Sequence, residues 1–82
     1  IGGAVSIDGV VAACLDALHT GGRLVAHAVT LESEAVLTRW YQRLGGTLTR
    51  LSIERAAPLG TFTGWQPARP IVQWSYRKEE PA

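Results

Sequence analysis

The chain has 82 residues, 46% of them hydrophobic and 18% charged, with a formal net charge of +1. That length allows at most one domain, and the apolar content excludes a disordered chain. The scattered basic residues give no reason to expect nucleic acid or an acidic membrane surface as partner. The one cysteine excludes a disulfide framework and a Cys-rich zinc site.

The first residues, "IGGAVSID", read as the end of a buried strand followed by a glycine turn. Ser6 then caps a helix, with Asp8 in the first turn where the helix dipole favours a negative charge. Val10, Cys14 and Leu18 recur at helical spacing, widened by Val11 and Leu15, and predict one buried face. Gly21 and Gly22 end this helix. His19 stands at its C-terminus, where a positive end charge has a structural use.

Arg23 to Val29, "RLVAHAV", is apolar on both faces, which predicts a strand covered on both sides, as in a parallel sheet. Thr30 or Ser33 caps the next helix, and Glu32 and Glu34 lie in its first turn. Its stripe is Leu37, Tyr41 and Leu44, with Val36 and Trp40 beside it, and Gly45-Gly46 stops it. Thr47 to Arg55 alternates, with Thr49, Leu51 and Ile53 on one face and Arg50, Ser52 and Glu54 on the other, which marks a strand near an edge. "APLGTFTGWQPARP" is rich in Pro and Gly and predicts a long loop carrying Phe62 and Trp65. Ile71 to Arg77 is the last strand, with Val72, Trp74 and Tyr76 on one face, and residues 78–82 are expected to be a frayed tail.

The pattern is βαβα and then two strands without a helix between them. Those two strands can pair antiparallel, because a parallel pair needs a crossover. The last strand is expected between Thr47–Arg55 and Arg23–Val29.

At this point the residues reach a family. Ile1-Gly2-Gly3, Gly21-Gly22-Arg23, "AVTLESE" from Ala28 and the late Pro70 together resemble the C-terminal half of the precorrin-6Y C5,15-methyltransferases (decarboxylating). The resemblance implies an α/β chain, the C-terminal half of a Rossmann-like class I methyltransferase fold, in which Ile1 ends the fourth strand of the sheet. It implies an S-adenosyl-L-methionine-dependent enzyme of cobalamin biosynthesis that methylates a precorrin tetrapyrrole at C15 with decarboxylation. Residues 1–82 are then a partial domain, and the glycine-rich turn and ribose-binding acid of the cofactor site lie in a half that is absent. The absence of methionine, even at position 1, agrees with a chain cut from something longer. Alone, the chain is expected to have no turnover. The expected compartment is the cytoplasm, which the single cysteine fits; no stretch approaches the ~20 apolar residues of a membrane span. Self-association is expected too, because strand edge and apolar face would be left uncovered.

The site residues the resemblance implies are few. Gly2 and Gly3 would let the cofactor approach the backbone at the carboxyl end of a strand, where open α/β sheets bind ligands. His27, Thr30 and Glu32, at or just after the carboxyl end of the next strand, are candidates for the substrate pocket. His27 stands where the family pattern has asparagine, and Ala4-Val5 where it has smaller residues. Capping and dipole matching explain Thr30 and Glu32 equally well, and a backbone partner would explain His27. No residue is assigned to decarboxylation. Two histidines on separate elements make no metal site. Two alternatives stay open at this level: a small non-enzymatic, self-associating α/β module, and a class I methyltransferase with another substrate. "AVTLESE" is the stretch that favours the enzyme.

Overall fold

The computed structural model describes residues 7–79; Gly2, Gly3, Ala4-Val5 and Ser6 lie outside them. The elements run α1 (Ile7–Ala17), β1 (Arg23–Ala28), α2 (Leu31–Leu44), β2 (Thr47–Leu51), β3 (Glu54–Leu59), β4 (Phe62–Pro67) and β5 (Ile71–Arg77). One sheet has the order β1-β5-β2, with β5 antiparallel to both neighbours. The last strand is thus inserted between the other two, antiparallel to β2 as the missing crossover requires and placed as the family resemblance implies. It also makes β1 and β2 parallel, so their carboxyl ends share one end of the sheet with the start of β5.

Both helices pack on one face of this sheet. Leu24, Ala26 and Ala28 of β1 and Val72 and Trp74 of β5 form a single core with Val11 of α1 and Leu37 and Trp40 of α2. Cross-strand partners carry the same face, Ala26 opposite Trp74 and Ala28 opposite Val72. Burying each large apolar side chain contributes about 1.5–3 kcal/mol. The other face of β1 is open among the described residues: Val25 and His27 are exposed, as is Val29 just beyond the strand. Among the described residues no element packs on this second face.

The helix stripes hold in part, with their centres shifted toward the residues expected beside them. On α1 the buried centre is Val11, flanked by Cys14, Leu15 and Leu18, while Val10 is exposed. On α2 the buried line is Ser33, Leu37 and Trp40, while Tyr41 and Leu44 face out. A polar contact sets this phase: Trp40 Nε1 donates to Asp8 Oδ1 at 2.9 Å, which ties α2 to the first turn of α1. Trp40 and Trp74 then stack with ring centroids 6.4 Å apart, and Trp74 stacks on Tyr76 at 5.4 Å.

α1 stops at Ala17, ahead of the glycines. Its C-terminal charge comes from Lys78, whose Nζ donates to the Leu15 carbonyl at 2.7 Å; His19 lies past the helix end and is exposed. The backbone of Lys78 also exchanges hydrogen bonds with Gly21 and Gly22, at 2.7 and 2.9 Å, so the expected frayed tail is ordered at its first residue.

Residues 54–67 do not form a loop. They form a two-stranded ribbon, β3 paired antiparallel with β4, closed by a two-residue turn at Gly60-Thr61 between the partners Leu59 and Phe62. Gly60 has φ +62, the left-handed geometry that such a turn needs at its first position. At the root, Ala68 N–H donates to the Ile53 carbonyl at 2.8 Å. The expected strand Thr47–Arg55 is accordingly split at Ser52-Ile53, where the chain leaves the main sheet for the ribbon. Pro58 and Pro67 can sit inside these strands because their pairs, with Thr63 and Glu54, share one parity along the ladder. Both rings occupy outward positions where the partner strand needs no N–H.

Candidate functional site

The carboxyl ends of β1 and β2 and the start of β5 meet at one end of the sheet, and the ribbon grows from the same end. Thr30 follows β1 there in extended geometry, φ −112 and ψ 156, as the N-cap of α2. Its Oγ1 accepts from Ser33 N–H at 3.1 Å and donates to Ser33 Oγ at 3.0 Å. The cap thus engages the hydroxyl in both roles.

Beside this cap is a cleft of about 430 Å³, lined by Val29, Thr30, Leu31, Glu34, Arg50 and Pro70. Arg50 reaches it from β2, where its position opposite Val72 puts it on the helix-bearing face of the sheet. Its Nη2 donates to Glu34 Oε1 of α2 in an ion pair, with the arginine side chain 63% exposed and the glutamate 26%. Pro70 also lines a second cleft, of about 590 Å³, at the ribbon root, with Ile53, Glu54, Trp65 and Pro67. Pro70 is the lining residue the two hollows share. Together they offer an apolar, partly aromatic floor and one guanidinium at its edge.

Of the residues singled out in the sequence, Thr30 lines this region. Glu32 is exposed in the first turn of α2 and lines neither cleft. His27 points to the opposite, open face of the sheet, where its Nε2 lies 3.0 Å from Gln73 Oε1. Since that oxygen accepts, the contact needs the proton on Nε2. His27, Gln73 and Thr49 are register partners and form one polar row across the three strands. Gly2 and Gly3 lie outside the described residues. Sequence reasoning missed Arg50 and Glu34 as a pair. The only trace of them was an acid in the first turn of a helix and a base inside an edge strand.

A family model described as a precorrin methyltransferase domain matches residues 1–78. A precorrin-6Y C(5,15)-methyltransferase [decarboxylating] of Sinorhizobium sp is 56% identical over 78 residues, 95% of this chain and 19% of the relative. The protein of that name from Mycobacterium tuberculosis (strain ATCC 25618 / H37Rv) is 54% identical over the same share of this chain and 20% of its own length. The chain therefore spans about a fifth of the curated relatives it matches. The crystal structure of the C-terminal domain of precorrin-6Y C5,15-methyltransferase from Rhodobacter capsulatus superposes with a TM-score of 0.84 at 45% identity, covering 95% of this chain and 42% of that one. The motifs around "AVTLESE", the insertion of the last strand between the other two and the 78-residue match agree, and the chain belongs to the precorrin methyltransferase domain family.

Proposed function

We propose that residues 1–82 are the C-terminal half of a class I methyltransferase domain that uses S-adenosyl-L-methionine to methylate a precorrin tetrapyrrole at C15, with decarboxylation, in cytoplasmic cobalamin biosynthesis. The observation that carries this reading is 54–56% identity, over 95% of the chain, to relatives bearing that name. No described helix is long and apolar enough to cross a membrane.

The cofactor, when bound, supplies an electrophilic methyl group. The described residues do not build its cradle: their positive-φ glycines stand in the turn before β1 (Gly21), at the end of α2 (Gly45 and Gly46) and in the ribbon turn (Gly60), and none opens a helix. On this reading Gly2 and Gly3 contribute backbone to a site whose larger part lies elsewhere in the protein, and no catalytic step is assigned to the residues described. Methyl transfer to carbon needs placement more than a strong base. What this half can contribute is a shaped floor, at the end of the sheet where α/β folds bind ligands.

Self-association is part of the same proposal. Leu59 and Phe62 at the ribbon tip are 67% and 79% exposed, and among the described residues the ribbon packs on no other element. A two-stranded ribbon standing alone is marginal in water, so a partner surface over its tip would stabilise it.

The complete reading frame, expressed in its host, tests the enzyme reading. With methyl-labelled cofactor and a precorrin-6 substrate, the label should pass to the macrocycle with release of one carboxyl as CO2. The 82-residue chain alone should bind the cofactor very weakly by calorimetry. A complete protein that neither binds the cofactor nor labels the tetrapyrrole would sink the reading.

A further inference from the structure

The two clefts that share Pro70 as a lining residue differ in chemistry, and the difference defines a ligand. On the ribbon side stand Trp65, 73% exposed, and Pro67. On the β1 side stands Arg50, paired with Glu34 and with its side chain 63% exposed. Trp65 is paired with Ala56, a residue too small to shield its ring. It belongs to the root half of the ribbon, away from the tip residues Leu59 and Phe62. Pro67 and Pro70 restrict the backbone on either side of the junction, so the floor is shaped before anything binds.

We propose that this junction is the docking floor for a flat polycarboxylate macrocycle, with Trp65 stacking on the ring system and Arg50 engaging a peripheral carboxylate. The assignment rests on the methyltransferase reading and deepens it by naming which residues of this half recognise the substrate. Three features of the site agree with it. An exposed indole face is costly to leave in water and suits a planar partner. A guanidinium presents five N–H donors, and one interaction with Glu34 leaves others free for a carboxylate fork. The ion pair with Glu34 also orders the arginine in advance, so less side-chain freedom is lost on binding. Glu54 in the ribbon-root cleft is the acid that an anionic ligand must avoid. That places the carboxylate at the Arg50 side and the uncharged ring over Trp65 and Pro70.

The test uses the complete methyltransferase and uroporphyrin, a stable planar tetrapyrrole with acetate and propionate groups on every ring. Affinity is read by quenching of tryptophan fluorescence and, for the Trp65 variant, by the porphyrin's own emission. Trp65→Ala and Arg50→Gln should each weaken porphyrin binding about tenfold. The affinity lost in Arg50→Gln should be the salt-dependent share, so its binding varies less with ionic strength. Arg50→Lys should recover only part of it, since an ammonium cannot fork. Arg77→Gln, at the opposite end of β5, is the control and should change nothing. Cofactor affinity, measured in parallel, should be the same in every variant. Unchanged porphyrin affinity in both Trp65→Ala and Arg50→Gln, with cofactor binding intact, overturns the assignment while leaving the methyltransferase reading standing. Dissociation of the oligomer by Trp65→Ala with unchanged porphyrin affinity also overturns it, by moving Trp65 to a subunit contact. Failure of the unsubstituted protein to bind the cofactor strikes the methyltransferase reading instead.

Discussion

The indole N–H of Trp74 donates to the carbonyl oxygen of Gly45 at 2.8 Å. Trp74 is wholly buried on β5, and Gly45 is the C-cap of α2, so one hydrogen bond fixes where the helix ends against the sheet. The same helix end is closed by Gly45 N–H donating to the Tyr41 carbonyl at 2.8 Å. Trp74→Phe would keep most of the apolar contact but leave that carbonyl without its donor. We expect a loss of about 2–3 kcal/mol, from the orphaned acceptor and the vacated volume. Chemical unfolding followed by tertiary circular dichroism checks it. A loss under half a kcal/mol would show that water replaces the indole.

The neighbouring glycines separate two costs. Gly45 and Gly46 have φ +78 and +91, where an L side chain is strained. A Cβ on Gly45 would meet nothing within 4 Å, but one on Gly46 would press against the Ser75 carbonyl oxygen and crowd Trp74 Nε1 at 3.2 Å. Gly45→Ala should therefore cost about 1–3 kcal/mol, the backbone penalty alone, since ψ −145 takes it out of the left-handed helical region. Gly46→Ala should cost clearly more, because the backbone oxygen of β5 cannot give way without disturbing the ladder. Equal midpoints for the two variants would contradict this.

Arg50 and Glu34 invite the opposite expectation. The pair joins β2 to α2, yet its arginine is 63% exposed, so solvent screens most of the attraction. Glu34→Gln should change unfolding stability by less than ~1 kcal/mol, with the difference vanishing at high salt. A larger, salt-insensitive loss would make the pair a structural clamp rather than a positioned functional group.

The ribbon tip gives a prediction about assembly. Leu59→Ser with Phe62→Ser removes the exposed apolar pair next to the turn and touches nothing in the core. Sedimentation of the complete protein should show a smaller species than the unsubstituted one, with the same far-ultraviolet spectrum. An unchanged assembly would show that the tip is not the contact.

Much of this architecture was legible from capping and punctuation. Thr30 starts α2 and Gly45 ends it, as a hydroxyl before an apolar run and a glycine after it predict. The antiparallel pairing of β5 with β2 followed from the lack of a crossover helix, and its place between β1 and β2 from the family resemblance. What failed was phase. Val10 and Val11, like Trp40 and Tyr41, are adjacent apolar residues, and periodicity alone cannot say which of a pair faces inward. The Trp40–Asp8 hydrogen bond decides it across 32 residues of sequence. The ribbon was hidden for another reason. Pro58, Pro67 and the glycines signal a loop, although "LGTF" holds the Gly-X turn that a two-residue hairpin uses. The pairing of Arg50 with Glu34 had no local signature, because only the packing of α2 on the sheet brings them together.

The last prediction concerns Gly2 and Gly3 and must be made in the complete protein. If the pair only turns the chain between a strand and α1, an alanine at either costs on the order of 1 kcal/mol where φ is positive and little else. If the cofactor lies against their backbone, any larger side chain occupies the ligand's own volume. Gly2→Val or Gly3→Val should then weaken S-adenosyl-L-methionine binding by more than about tenfold, roughly 1.4 kcal/mol. The thermal midpoint without ligand should fall much less than that loss implies. Gly9 supplies the control, because it lies inside α1 and a Cβ there would meet nothing within 4 Å. Gly9→Val should leave cofactor affinity unchanged and leave stability equal or slightly higher, since glycine is a poor residue for a helix interior. Calorimetric titration of the three variants reads the difference. Equal affinity in all three would place these glycines in the turn and the cofactor on other residues.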